Sequence, residues 1–210
     1  MKRYSGVTPE MGCCHSAGRP MRRSANPDRG MQMDSAVALV RTYLQINGYF
    51  VVTDYPVVEL DRDGSARSMT DLDILAVRFP DAGRLVLDGN RSKIIGEIDP
   101  KLGHPGNCID LIIGEVKQGA ARLNRGAHDP SVMRAALARF GSVDQSRARA
   151  VVEELLRKGH ASTPSGHNVR VMVFASYAYR SPGPGVRVVT LGHMKNFVTD
   201  YLRQYWDILH

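Results

Sequence analysis

Three cysteines in 210 residues, Cys13, Cys14 and Cys108, are too few and too unevenly placed for a disulfide framework. Cys13 and Cys14 are neighbours, which rarely bridge to each other, so reduced thiols and a cytoplasmic setting are expected. Gly12-Cys13-Cys14-His15 lacks the second ligand pair that a structural zinc site needs. No apolar run approaches the length of a membrane span, so no membrane partner is expected. Lys2 and Arg3 are followed by no apolar core, so the start does not read as a signal peptide. There is no internal repeat, no glycine-rich phosphate loop and no low-complexity run past residues 1–32.

Charge is present, and unevenly placed. The net charge is +7, of which residues 1–30 hold +4, from six Lys or Arg against Glu10 and Asp28. The same stretch is rich in Gly, Pro, Ser, Arg and Asn and has no hydrophobic period. Residues 1–32 therefore read as a disordered basic tail, and residues 33–210 as a single domain with enough chain for one core. A basic tail fits an anionic partner such as nucleic acid.

Within the domain, Asp34 reads as the N-cap of a first helix carrying Val37, Val40 and Leu44, with Gly48 just past its end. Strands follow at Tyr49–Val52 and Val57–Leu60, the second being a new strand or a continuation past Pro56, and then a turn with Asp63-Gly64 at its tip. Residues 70–77 form the next strand, residues 80–108 are turn-rich with short strands at 85–87 and 93–98, and Ile109–Gly119 is a buried strand. Asp129-Pro130 opens one helix and Ser142 with Gln145 suggests a capping box for another. Residues 169–175 and 186–191 are strands, and a closing helix runs from about His193 with Met194, Phe197, Val198, Tyr201, Leu202 and Tyr205 at helical spacings. The fold class is α/β, a mixed central sheet flanked by helices.

Two of these strands carry acids. In Thr70-Asp71-Leu72-Asp73-Ile74, alternation puts Asp71 and Asp73 on one face and Leu72 and Ile74 on the other. In Ile112-Ile113-Gly114-Glu115-Val116-Lys117, Glu115 and Lys117 share a face. Exposure where a strand emerges into water accounts for such residues in general. If the two strands pair, however, Asp73 or Asp71 meets Glu115 with Lys117 beside them. Two carboxylates suit Mg²⁺, which keeps several waters and accepts phosphate oxygens as further ligands, and a lysine next to it can orient water or meet phosphate.

This combination resembles the PD-(D/E)XK nuclease superfamily, in which an acid at a strand start precedes an acid-x-lysine on the adjacent apolar strand. The resemblance covers residues 33 to 207 at the level of element order. It implies a restriction-endonuclease-like fold and hydrolysis of nucleic acid, DNA first, with Mg²⁺ or Mn²⁺. Asp73 and Glu115 would hold the metal and Lys117 would be catalytic, with Asp71, Gln118 and Glu59 in support. Arg122, Arg125 and Arg134 (with Arg139) would meet backbone phosphates, although a solvated helix face explains them equally well. The sequence departs from the family's pattern in three places. No proline precedes the acid, residues 35–47 hold no glutamate so that only Asp34 or Glu59 could replace one, and the interval between Asp73 and Glu115 is long. A homodimer is left open by the resemblance. Two competing expectations are a non-catalytic nucleic-acid or protein binding module on the same fold, and a small-molecule enzyme using Asp71 and Asp73 as a metal pair.

Overall fold

The computed structural model describes residues 34–88, 91–95 and 98–209, which belong to one unit, Met33–His210. The basic tail, with Cys13, Cys14 and His15, lies outside the described residues, as do Gly96 and Glu97 of the expected strand 93–98. Helix α1 (Ser35–Ile46) starts where Asp34 accepts from the Ala36 N–H at 2.8 Å. It stops at Asn47 and Gly48, the latter at φ +82°, a conformation glycine tolerates. Strand β1 (Phe50–Leu60) passes straight through Pro56, so the two expected strands are one. Proline is tolerated there because β1 is an edge strand, where a missing N–H costs no ladder bond.

β2 (Ala66–Arg78) returns antiparallel to β1. The turn-rich interval contains a separate two-stranded sheet, β3 (Arg84–Asp88) and β4 (Arg91–Ile95). β5 (Asp110–Ala120) then enters the main sheet. After it come α2 (Pro130–Phe140), α3 (Gln145–Lys158), the short β6 (His160–Ser162), β7 (Asn168–Tyr177), β8 (Arg187–Thr190), α4 (Leu191–Gln204) and α5 (Trp206–Leu209). The sheet order is β1-β2-β5-β7, with β6 and β8 both on β7. β2 is antiparallel to β1 and β5, while β5, β7 and β8 are parallel. The architecture is α/β, a mixed six-stranded sheet flanked by helices.

Two cores sandwich the sheet. On one face α1 and α4 cover Ile74, Ala76, Ile112, Val116, Met172 and Phe174. On the other α2 and α3 cover Leu75, Leu111, Ile113, Val169 and Val171. Gly114 is required by this packing. A Cβ there would stand 2.9 Å from both the Ile74 Cβ and the Phe174 ring. The cap of α3 differs from expectation: Asp144, not Ser142, accepts from the Arg147 N–H, and the buried Ser142 hydroxyl has no partner among the described residues. On α4, Met194 and Tyr201 are buried but Leu202 is 41% exposed, so the apolar stripe is narrower than its spacing suggests.

A buried polar network ties the N-terminal end of β5 to its neighbours. Asp110 is fully buried and accepts from Arg170 Nη2 at 2.6 Å, from the Tyr49 hydroxyl at 2.5 Å and from Asn168 at 2.8 Å. Arg170 also donates to the Leu102 carbonyl. Beside it, Asp99 accepts from the Tyr43 hydroxyl at 2.7 Å and lies 2.5 Å from His193 Nε2, joining the interval after β4 to α1 and α4.

Candidate functional site

The register places the acids. Thr53 pairs with Ile74 and Tyr55 with Leu72, which leaves Asp54 opposite Asp73. Ile74 pairs with Gly114, so the next row sets Asp73 opposite Glu115. The β2–β5 ladder ends there. In place of a backbone carbonyl, the Asp73 Oδ2 accepts the Val116 N–H at 2.7 Å. The two strands thus fork, and Asp73 sits in the fork with Glu115 across from it.

The fork also breaks the alternation of its strands. Val51 packs on the α1/α4 side, whereas Tyr55 and Val57 pack on the α2/α3 side. Ile74 and Ala76 pack on the first side and Leu72 on the second. Both strands exchange faces at the row of Asp54 and Asp73, so Leu72 and Ile74 do not share a face as strict alternation predicts. Asp54 takes φ +53°, the left-handed region, where an aspartate is tolerated better than most residues but is still uncommon. On β1 the exchange of faces coincides with this left-handed residue, in the manner of a β-bulge.

Glu115 is only 5% exposed, and Lys117 on the same face donates to its Oε1. Burial, above all, lifts the Glu115 carboxyl above the ordinary carboxylate range. The Lys117 hydrogen bond opposes this, the negative charge of Asp73 adds to it, and the Asn124 amide opposes it again. Asp73 is lifted for the same first reason, burial. The Val116 N–H and the Lys117 ammonium pull it down, while Asp54 and Asp34 push it up. Like charges are therefore held together with one ammonium among them.

Gln118, on the opposite face of β5, donates to Asp34 Oδ1 at 2.7 Å. The same oxygen caps α1, so one contact fixes the helix start against the strand end. Of the two acids expected to replace a helical glutamate, Asp34 is the one brought to the site. Glu59 lies toward the exposed tip of the β1–β2 hairpin, bound to Arg67 at 2.8 Å. Asp71 is exposed and stands opposite Pro56, and its carboxylate makes no hydrogen bond or ion pair among the described residues. Arg122 and Arg125 are exposed on the segment after β5, flanking Asn124. Arg134 is exposed on α2, 3.3 Å from the Ser131 hydroxyl, and Arg139 lies over the Tyr55 ring at 5.5 Å.

Asp54 escaped the sequence reading, which broke the strand after Val52. The signal was an aspartate in the middle of a β-rich run, where it is disfavoured. Among the described residues no group of three or more His, Cys, Asp or Glu side chains is arranged to hold a metal ion. Mg²⁺ needs only one or two carboxylates because it retains water. A groove of about 880 Å³ lies elsewhere, four residues back along β1, between Phe50, Phe79 and Phe140, and none of the described residues that line it is an acid. No helix among the described residues is long and apolar enough to cross a membrane. No family model, curated protein or solved structure matches the chain.

Proposed function

We propose that this domain is a PD-(D/E)XK-type, metal-dependent phosphodiesterase acting on nucleic acid, with DNA as the first substrate to try. One observation carries the reading: Asp73 and Glu115 oppose each other where β2 and β5 part, with Lys117 bound to Glu115. The sheet order is in keeping with it, an antiparallel run of three strands with a parallel strand beside the acid-x-lysine strand. The donor set fits Mg²⁺ or Mn²⁺. Two adjacent carboxylates, both raised by burial and neighbouring negative charge, are the arrangement that a divalent cation relieves. When bound, such an ion would acidify a water and offset charge on the phosphate.

The protein's own groups have separable tasks. Asp73 and Glu115 supply the ligand oxygens, and the Val116 N–H holds Asp73 in one orientation. Lys117 has three donors and gives one to Glu115, which leaves others for a phosphate oxygen. Asp34 and Gln118 steady the strand end that carries the lysine. Arg122 and Arg125 meet flanking phosphates.

The test is to incubate the protein with supercoiled, linear, single-stranded and branched DNA and with RNA, in Mg²⁺, Mn²⁺ or EDTA. Asp73→Ala and Lys117→Ala are run alongside. Cutting that needs metal and is lost in both variants supports the site; cutting that survives both sinks it. A second reading, a binding module that keeps the fold, has one observation in its favour: Lys117 is already engaged by Glu115. It predicts binding that ignores Mg²⁺ and no cleavage of any substrate.

A further inference from the structure

Just beyond the candidate site, two tyrosines stand in solvent. Tyr177 is 50% exposed and Tyr179 is 82% exposed, and their rings stack with centroids 5.6 Å apart and planes 17° apart. Large exposed aromatics stacked on each other do not serve the core, and neither belongs to the buried clusters of the sheet. Their place in the fold is fixed by backbone pairing. Lys117 pairs with Ala175, Ala120 pairs with Tyr177, and the Ala121 N–H donates to the Tyr177 carbonyl at 2.9 Å. The register shift between those pairs falls on β5, so β7 itself keeps its alternation. Val173, Ala175 and Tyr177 therefore share the face of Glu115 and Lys117. Tyr177 lies two residues past the lysine's row, roughly 7 Å along the strand.

The chain segments that carry the tyrosines and pair beside them are basic. No acid lies between Glu115 and Asp129, a span that includes Lys117, Arg122 and Arg125. None lies between Glu154 and Asp200, a span that includes Arg180. Arg122 follows the residue bonded to Tyr177, Arg180 follows Tyr179, and both are exposed. An aromatic face for a flat apolar ring, flanked by guanidinium groups for phosphate, is the arrangement that holds unpaired nucleotides. A duplex offers its bases only at its ends.

We propose that Tyr177 and Tyr179 form a stacking platform for the unpaired bases of a single-stranded nucleic acid, which Arg122 and Arg180 hold by its phosphates. This rests on the phosphodiesterase reading for its consequence: the scissile bond lies in or beside a single-stranded segment, within a nucleotide or so of the stacked base. The inner tyrosine supports the outer one, whose far face is open to a base.

The experiment measures binding in EDTA, where cleavage cannot intrude. Fluorescein-labelled oligothymidylate and oligouridylate, an abasic strand of equal length and charge, and a blunt duplex are titrated by anisotropy. The Tyr177→Ala/Tyr179→Ala double variant is compared with the Tyr177→Phe/Tyr179→Phe double, both checked by circular dichroism for an unchanged fold. The expected result is that base-bearing single strands bind at least ~10-fold tighter than the abasic strand, and that the Ala double loses about that factor while the Phe double keeps affinity within about twofold. Equal binding by the Ala and Phe doubles, or duplex binding as tight as single-strand binding, overturns the platform. A Mg²⁺ cleavage arm separates the two proposals. Platform-dependent binding without cutting leaves the platform and removes the hydrolase. Cutting of single strands at the same rate by the Ala double removes the platform and leaves the hydrolase.

Discussion

The two ends of β5 treat buried acid differently. At its N-terminal end Asp110 is fully buried and met by a guanidinium, a phenol and an amide, all within hydrogen-bond distance. The network raises the affinity of its partners for their protons: burial and then the Asp110 carboxylate push Tyr49 up, and Arg170 is held cationic against its own burial by Asp110. At the C-terminal end Glu115 is nearly as buried, but it and Asp73 share one ammonium, and Asp54 and Asp34 add negative charge. The first end neutralises its charge and the second leaves it in excess. Compensated burial is what a fold needs to hold together, whereas uncompensated burial waits for a ligand.

The difference can be broken from either side. The largest effect is expected on cleavage: Lys117→Ala or Asp73→Asn should lower metal-dependent cutting by about 10²- to 10⁴-fold, read from initial rates on a substrate the wild type cuts. Arg170→Met should leave Asp110 buried without its cation and cost about 3–5 kcal/mol in urea unfolding, with any activity surviving in the fraction that stays folded. At the other end Asp73→Asn keeps an acceptor for the Val116 N–H but sheds a charge. It should stabilise the fold by about 0.5–1 kcal/mol while lowering the proposed cleavage, the trade expected where excess charge is kept for a ligand. An unfolding midpoint lower than wild type would count against the excess-charge account.

The pH dependence has a definite sign. Asp73 and Glu115 have raised pKa values in the folded state, so in the window from their ordinary values of 3.8 and 4.5 upward the native protein binds more protons than the unfolded chain. Their contribution is therefore most favourable below that window and falls as pH rises through it. Wild-type stability measured from pH 4 to 7 should lose ground relative to Asp73→Asn, and a parallel pair of curves would refute this. The smallest effect belongs to Glu59→Ala. It removes an exposed ion pair with Arg67, both side chains about half or more in solvent, and should change stability by under about 0.5 kcal/mol and leave cleavage untouched.

Much of this was legible from residue order. The unbroken apolar run of β5 marked a central strand, and alternation along it put Glu115 and Lys117 together. The row that joins Asp73 to Glu115 could be anticipated because strands close in sequence tend to be neighbours in a sheet. Asp34 was legible as a cap, though only its contact with Gln118 ties it to the site. Asp54 was not, because a left-handed residue in mid-strand leaves no periodic trace. The exchange of faces at Asp54 and Asp73 defeats any reading that assumes a period of two, and it moved Leu72 to the other core. Glu59 looked equivalent to Asp34 in sequence and differs only by its distance along a protruding hairpin. The three-residue β6 is too short to have a pattern, and Asp144 outcompeted Ser142 because it alone stands next to the first turn of α3.

The connectivity of the fork has a consequence for how the molecule comes into being. Val116 and Asp73 are 43 residues apart, and the Arg170–Asp110 tie at the other end of the strand closes over 60. Neither can form until long loops have been closed, and that entropy is spent before any contact returns it. A chain dominated by such pairings folds slowly, in the range of milliseconds to seconds, rather than element by element. β5 alone carries Glu115 and Lys117 but lacks Asp73, so no fragment carrying β2 or β5 alone holds the whole site. During refolding, sheet signal and the proposed metal-dependent cleavage should therefore emerge on one timescale, as a single event in the life of the chain.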